Sequence, residues 1–323
     1  MSNRVFIVWS RYHRRSELLA DHLGATLHYI YDNQKGQLRH LPIRYLAQAF
    51  QTWGILRREQ PDIIFVQNPP IFAVLVVAIY ARYHGARYVI DSHTGAFHDR
   101  KWRWSVGLLR EISRGALATI VHNPLQEKIV NRWGCRYYVL DDPVRQFDGA
   151  EKFSFAEQFN AVVVSSFGPD EPLEILFGAV AGLPTITFYV TGDYSRADSA
   201  LLSKKPDNCR LTGYIPYSQY MGLLEGANVI IDLVTNGDTL LCGAFEAVSV
   251  GTPLIVSDWP ILRECFPIGT VFVSNTIHGV REGVNRALRE QSQMRQEMLL
   301  LREQHQVAWM HKFRGLQRLL SEN

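Results

Sequence analysis

Glu246 follows Asp238 by eight residues, in a stretch that leaves a strand-like run at Val229–Leu233 and enters a helical one at Leu240–Val250. Free amides in the first turn of such a helix, Thr239 to Cys242, can hold a phosphate. A carboxylate one or two turns later can accept hydrogen bonds from both hydroxyls of a ribose. A second set lies in the first half, where Val89-Ile90-Asp91-Ser92-His93 ends another strand-like run. His93 can donate a hydrogen bond to an oxygen on which charge develops, and His93 or Asp91 can act as a base toward an acceptor hydroxyl. Arg11-Tyr12-His13-Arg14-Arg15 follows the first strand. Its three arginines suit an acceptor that bears phosphates, with Arg11, His13 and Arg14 as the candidate acceptor contacts and a solvated basic loop as the alternative. All of these stand where open α/β sheets bind ligands, outside the carboxyl ends of strands.

Other chemistries lack their signatures. No G-x-G-x-x-G follows the first strand, and there is no G-x-x-x-x-G-K-[ST], G-x-S-x-G or H-E-x-x-H. Nicotinamide, flavin, P-loop, serine-hydrolase and zinc-protease chemistry are therefore disfavoured. The histidines have no metal-ligand spacing, so neither a metal nor a bound cofactor is expected.

The elements that must position these residues alternate along the whole chain. Strand-like runs read Val5–Trp9, Thr26–Tyr31, Ile63–Gln67, Tyr88–Asp91, Thr119–His122 and Tyr137–Leu140. Helical patterns lie between them, at Ser16–Leu23, Pro42–Glu59, Ile71–Tyr83, Trp102–Arg114 and Pro124–Trp133. The strands are continuous apolar runs, as in a parallel sheet covered on both faces. The pattern lapses over 143–157 and then resumes, with strands at Ala161–Val164, Thr185–Val190, Arg210–Thr212, Val229–Leu233, Pro253–Val256 and Thr270–Val273. The expectation is two doubly wound α/β domains, 1–145 and 158–300, facing across a cleft. Residues 301–323 form the end of a long helical tail that returns to the first domain.

Composition agrees with a soluble globular chain: 323 residues, 47% apolar and 20% charged. The charge is uneven. Residues 1–123 hold 16 Lys/Arg against 8 Asp/Glu, and the remainder 18 against 23. A basic first half suits phosphates or an anionic membrane, the alternative being ordinary surface variation. Residues 98–114 set Trp102, Trp104, Leu108 and Leu109 among Arg100, Lys101, Arg103, Arg110 and Arg114. That pattern suits a helix lying on an anionic leaflet, and equally an amphipathic helix with its tryptophans in the core. The four cysteines are far apart among apolar neighbours, and reduced, buried thiols are expected. The first strand begins almost at once, with no signal peptide, which points to the cytoplasm, with contact at the inner face of the membrane. The basic residues carry no nucleic-acid-binding motif.

From Asp238 through Glu246-Ala247 to Gly251-Thr252-Pro253-Leu254-Ile255, the sequence resembles the GT-B glycosyltransferases of group 1, the family 4-like enzymes. Their E-x7-E motif ends in E-A-x-x-x-G-x-P, and Asp238 stands here for the first glutamate. The resemblance implies that Glu246 binds the ribose or donor sugar and that Asp238, with the amides of Thr239 and Leu240, contacts sugar and phosphate. It further implies that Gly192 approaches the donor, that Gly213, Tyr214 and Ile215 read the base, and that His93 lies beside the transferring sugar. Gln67-Asn68-Pro69-Pro70, Asp91-Ser92-His93 and Ser165-Ser166-Phe167-Gly168-Pro169-Asp170-Glu171 resemble the chitobiosyldiphosphodolichol β-mannosyltransferases. No Arg or Lys stands between Ser165 and Pro172, so the donor diphosphate is expected on Ser165, Ser166, backbone amides and Arg196, Lys204 or Lys205. The implied activity is transfer of a hexose from a nucleoside diphosphate sugar, GDP-mannose by the narrower resemblance, to a glycan or lipid-linked acceptor. The alternatives are a non-catalytic GT-B-like subunit and a nucleotide-sugar epimerase on the same fold.

Overall fold

The computed structural model describes residues 2–31, 41–144, 149–155 and 159–321. The chain forms two compact units, Met1–Pro143 with Trp309–Asn323, and Val144–Ala308.

The first unit runs β1 (Arg4–Val8), α1 (Arg14–Leu23), β2 (Thr26–Tyr29), α2 (Leu41–Glu59), β3 (Ile63–Asn68), α3 (Ile71–His84) and β4 (Arg87–Ser92). It continues with α4 (Thr94–His98), α5 (Val106–Gly115), β5 (Ala118–Val121), α6 (Pro124–Asn131) and β6 (Tyr137–Val139). The sheet order is β2-β1-β3-β4-β5-β6, and every pair is parallel. All six residues of β3 are buried, which its unbroken Ile-Ile-Phe-Val run requires. Each such side chain removed from water contributes about 1.5–3 kcal/mol. Helix starts are set locally. The His13 side chain accepts from the Ser16 amide at the head of α1, and Asn123 accepts from Gln126 at the head of α6, where Pro124 opens the first turn.

The second unit runs β7 (Asn160–Val163), α7 (Leu173–Val180), β8 (Thr187–Thr191), α8 (Ser199–Leu202), β9 (Cys209–Gly213), α9 (Tyr217–Gly226) and β10 (Val229–Asp232). It ends with α10 (Cys242–Val250), β11 (Leu254–Ser257), α11 (Pro260–Cys265), β12 (Thr270–Val273) and α12 (Ile277–Arg289). The order β12-β11-β10-β7-β8-β9 is again wholly parallel. The direction of winding reverses between β1 and β3 in the first sheet and between β7 and β10 in the second. At such switch points the loops on either side diverge and leave a crevice for ligand.

The last helix, α13 (Gln291–Ser321), serves each unit with different residues. Met294, Met298 and Leu301 belong to the second core. Trp309, Phe313, Leu316 and Leu320 pack with Phe6, Val8, Leu19 and Phe65 of the first, at helical spacing.

All twelve expected strands form, and several finer expectations need correction. The helix expected from Leu240 begins at Cys242, because Leu241 is extended (φ −100°, ψ 120°) and acts as its cap. The near-continuous tail breaks at Glu290 into α12 and α13. The stretch expected to link the domains is partly built into the second unit. The Glu151 amide donates to the Ser218 carbonyl at 3.1 Å, and the rings of Phe153 and Phe155 meet Tyr189 edge-on at 5.4 Å. Gly222 permits this, since a Cβ there would lie 1.7 Å from the Glu151 carbonyl oxygen. Residues 145–148 and 156–158 lie outside the described residues. None of the four cysteines forms a disulfide, but only Cys209 is buried and Cys242 is exposed.

Candidate active site

Each unit gathers polar side chains at the carboxyl edge of its sheet. In the first, Asp91 in β4 is fully buried, and the Arg15 guanidinium reaches it from the first turn of α1. Arg15 Nε and Nη2 both lie 3.3 Å from Asp91 Oδ1. Arg15 Nη1 donates to Asp142 at 2.6 Å, and Nη2 also donates to the Leu140 carbonyl at 2.7 Å. His93 Nε2 lies 3.1 Å from Asp91 Oδ2, and His122 Nε2 lies 3.4 Å from Oδ1. Strand register accounts for the meeting: Asp91 pairs with Ile120, so His93 and His122 each stand two residues farther along neighbouring strands. Their rings meet edge-on at 4.3 Å, and His13 meets His93 in the same way at 4.5 Å.

The backbone of His93 is held as well. Its amide donates to the Asn68 carbonyl at 2.8 Å, while Asn68 Nδ2 donates to Ser92 Oγ at 3.1 Å. Gln126 accepts from the His122 amide at 2.9 Å and donates to Thr94 Oγ1 at 2.6 Å, tying the ends of β4 and β5 together.

Burial alone would raise the Asp91 carboxyl, yet Arg15, then His93 and His122, hold it well below the usual carboxylate range. Asp142 is lowered in the same way, with Arg15 as the main opponent of burial. Burial lowers His122 to about 4, with Arg15 and His93 adding to it, and lowers His13 to about 3, with His93 the next cause. Both rings are therefore neutral near pH 7. In the neutral tautomer of His93 that carries its proton on Nε2, an ionised Asp91 accepts from Nε2–H and Nδ1 is left as a proton acceptor, the geometry of a base and its orienter. Asp91, His93 and His122 also offer donor atoms within 4.8 Å of one another, a set a divalent ion could use. The guanidinium on the same carboxylate opposes a cation there.

In the second unit, the loop after β7 turns back on itself. Glu171 Oε1 accepts from the Ser166 amide at 2.8 Å and from Ser166 Oγ at 2.6 Å. Glu171 Oε2 accepts from Ser165 Oγ at 2.5 Å and from the Phe167 amide at 3.1 Å. The neighbouring loops touch this one. A Cβ on Gly192, at the end of β8 with φ 96°, would lie 2.1 Å from the Ser165 carbonyl oxygen, so only glycine fits. The Thr235 amide, after β10, donates to the Asp170 carbonyl at 2.8 Å. Asp232, buried at the end of β10, is pushed well above its ordinary value by burial and by Glu171 and Glu246, against the amides of Ala244 and Gly243. Glu246 is half-buried in α10 and accepts from the Tyr220 hydroxyl at 2.5 Å.

The residues singled out from sequence therefore divide. Gly213 ends β9, and Ser165, Ser166, Gly192, Tyr214 and Ile215 follow strand ends on the same rim of the second sheet. Tyr214 is 87% exposed there and open to a ligand. Thr239 and Leu240 precede α10, so the first-turn amides belong to Cys242, Gly243 and Ala244, two of which face Asp232. Asp238 is exposed, its amide donating to Asn236 Oδ1 at 3.1 Å. Lys204 pairs with Glu174 at 2.6 Å, and Lys205 donates to the Cys209 carbonyl at 2.9 Å. The Arg196 side chain lies outside the described residues. In the first unit, Asp91 and His93 meet as a pair. Arg11 is exposed, Arg14 pairs with Glu17 at 2.7 Å, and His13 caps α1 as a neutral ring. The sequence reading missed Arg15 as the hub of the network, together with His122, Asp142, Tyr220 and Asp232. All but Tyr220 stand at or just beyond the carboxyl end of a strand or in the helix turn that follows, a signal the strand assignments already contained. A concavity of about 610 Å³, lined by Ser2, Gln60, Asp62, Tyr80, His84 and Arg87, opens at the amino ends of β3 and β4, the edge opposite these residues.

Comparison with known proteins bears on the fold. The family model described as glycosyl transferase-like matches residues 172–315. No curated protein sequence matches the chain. Among solved structures, sucrose-phosphate synthase from Thermosynechococcus elongatus superposes with a TM-score of 0.76 at 14% identity, covering 99% of this chain and 98% of that one. Anabaena HepE, solved with UDP and glucose, superposes with a TM-score of 0.73 at 13% identity, over the whole of both chains. A Listeria monocytogenes protein described as a putative UDP-N-acetylglucosamine 2-epimerase gives 0.63 at 12%, covering 93% of this chain and 91% of that one. Two parallel six-stranded sheets with this winding are the GT-B fold, and residues 172–315 are similar to the glycosyl transferase-like family.

Proposed function

We propose that this protein transfers a hexose from a nucleoside diphosphate sugar to an acceptor hydroxyl, with no metal or cofactor required. The observation that carries the reading is the rim of the second sheet. There an anion cradle after β7, Gly192 after β8, Gly213 at the end of β9 and Glu246 beyond β10 offer groups suited to a phosphate, a base and a ribose along one edge of the sheet. Glu246 accepts the ribose or sugar hydroxyls, and the loop amides take phosphate. In the first unit His93 accepts the acceptor proton through Nδ1, and Asp91 keeps the ring oriented. The local mannosyltransferase resemblance favours GDP-mannose, whereas the fold shared with HepE, solved with UDP, favours a uridine nucleotide.

Calorimetric titration with UDP, GDP and ADP tests this reading and names the base. Glu246→Ala is expected to weaken the preferred nucleotide about 10- to 100-fold, the worth of a charge-assisted hydrogen-bond pair. Equal affinity in the variant would remove Glu246 from the site. No binding of any nucleotide to folded protein would favour the non-catalytic subunit, a reading supported by Glu171 filling the cradle. The epimerase reading is supported by the Listeria structure's fold, and conversion of a UDP-sugar without any acceptor would establish it.

The acceptor we propose is a glycan or lipid-linked sugar, met by a cytoplasmic protein at an anionic membrane face. Trp104 and Leu108 are 62% and 38% exposed beside Arg103 and Arg110, while Trp102 is buried against Phe72. Ile43, Leu46 and Phe50 add exposed apolar surface on α2, at 61–77%. No described helix is long and apolar enough to cross a membrane. Sedimentation with vesicles rich in phosphatidylserine is expected to carry the protein down, and Trp104→Ala to reduce the bound fraction several-fold. Equal recovery with neutral vesicles would remove the electrostatic part of the proposal.

A further inference from the structure

We propose that Glu171 is a built-in competitor for the donor's phosphoryl groups, whose carboxylate fills the anion cradle after β7 and must swing out before a diphosphate can enter. This rests on the donor-site reading above and adds to it a device that sets nucleotide affinity. The cradle holds the carboxylate as it would hold a phosphoryl group, with two donors on each oxygen. Ser166 supplies its amide at 2.8 Å and its hydroxyl at 2.6 Å to Oε1, while Ser165 Oγ at 2.5 Å and the Phe167 amide at 3.1 Å serve Oε2. Consecutive amides turned toward one point form the kind of nest in which backbone binds anions.

The loop is shaped for this independently of Glu171. Phe167 adopts φ 55°, a left-handed conformation uncommon for a non-glycine residue. Its ring is 8% exposed and anchored in the second unit's core, so the amides keep their aim when the carboxylate leaves. The Ser165 amide is held from the other side by Thr191 Oγ1 at 3.3 Å, and Gly192 lets the two loops close together.

The carboxylate, by contrast, is not fixed by burial. Glu171 is only half-buried, so its side chain can rotate outward without passing through the core. No Lys or Arg lies between Ser165 and Pro172 to favour a phosphate over the carboxylate. The exchange is one anion for another on the same four donors. A diphosphate succeeds when the rest of the nucleotide supplies the surplus affinity, which makes the site selective for a complete donor over free phosphate.

The test compares wild type, Glu171→Ala and Glu171→Gln by calorimetry, with inorganic pyrophosphate, UDP, GDP and the matching nucleosides as probes. Removing the competitor is expected to tighten pyrophosphate and the preferred nucleotide at least tenfold in Glu171→Ala. Glu171→Gln, which keeps the shape but not the charge, should fall between the two. Nucleoside affinity should stay unchanged in both variants, because no phosphoryl group is involved. Unchanged or weaker nucleotide binding by Glu171→Ala, with a wild-type melting temperature, would overturn the competitor and assign Glu171 to bracing the loop. If wild type binds nucleotide in a Glu246-dependent way and Glu171→Ala binds it no tighter, the donor site stands and only the competitor falls. If neither protein binds any phosphorylated probe, both fall.

Discussion

His93→Ala is expected to lower kcat for hexose transfer about 10²- to 10⁴-fold while leaving nucleotide affinity within threefold of wild type. That range is what a positioned general base is worth. The ring is suited to the role by its partners: Asp91 takes Nε2 at 3.1 Å, and the Asn68 carbonyl holds the backbone from which the ring projects. The nucleotide is expected on the second unit, through Glu246 and the rim around it, so ground-state binding of the donor should not depend on His93. Steady-state kinetics with the nucleotide sugar chosen by titration separate the two quantities. A kcat within threefold of wild type would remove His93 from the chemistry. A parallel loss of nucleotide affinity would make its role one of binding.

The second large effect is on stability. Arg15→Ala is expected to destabilise the first unit by about 3–5 kcal/mol, the cost of leaving a buried charge without its partner. Asp91 and Asp142 both face that guanidinium, and Asp91 is wholly buried. The same network makes stability depend on pH. The ordinary value for His122 is 6.5, and burial lowers it to about 4 in the folded chain. The unfolded chain takes up a proton below 6.5 that the folded chain refuses until about 4, so stability falls as pH falls through that window. The largest loss from this group is about 3 kcal/mol. His13, lowered to about 3, acts in the same direction over a window extending further into acid. Asp91 is held below its ordinary value, so its stabilising share is complete above the carboxylate range and lost only as pH drops below it. Thermal melts from pH 7 to 4 should show a steep acid limb that flattens in His122→Gln. An unaltered limb in that variant would mean that His122 is not the group being titrated.

The fold was legible because it rests on local physics. A parallel sheet covered on both faces demands continuous apolar strands, and runs such as Ile63-Ile64-Phe65-Val66 and Val229-Ile230-Ile231 carry that demand within a few residues. The positions of Asp91, His93 and Glu246 could be read for the same reason, since a residue that follows a strand must stand at the sheet's carboxyl edge. Partners could not be read. Arg15 and Asp91 are 76 residues apart, and Arg15 and Asp142 are 127 apart. Only the strand order β2-β1-β3-β4-β5-β6 brings those chain segments to one place. Arg15 in a basic run looked like its neighbours, Arg11 and Arg14. Helix phase decided that Arg15 points inward to a buried carboxylate while Arg14 pairs at the surface with Glu17. His13 stood among the candidate acceptor contacts, and burial makes it a neutral cap of α1. Ser165 and Ser166 looked free for phosphate, until the turn that follows brought Glu171 back onto them. Sequence alone determined which elements form and which residues reach their ends. Tertiary structure decided the charge and the partner of each, because both depend on burial and on segments far apart along the chain.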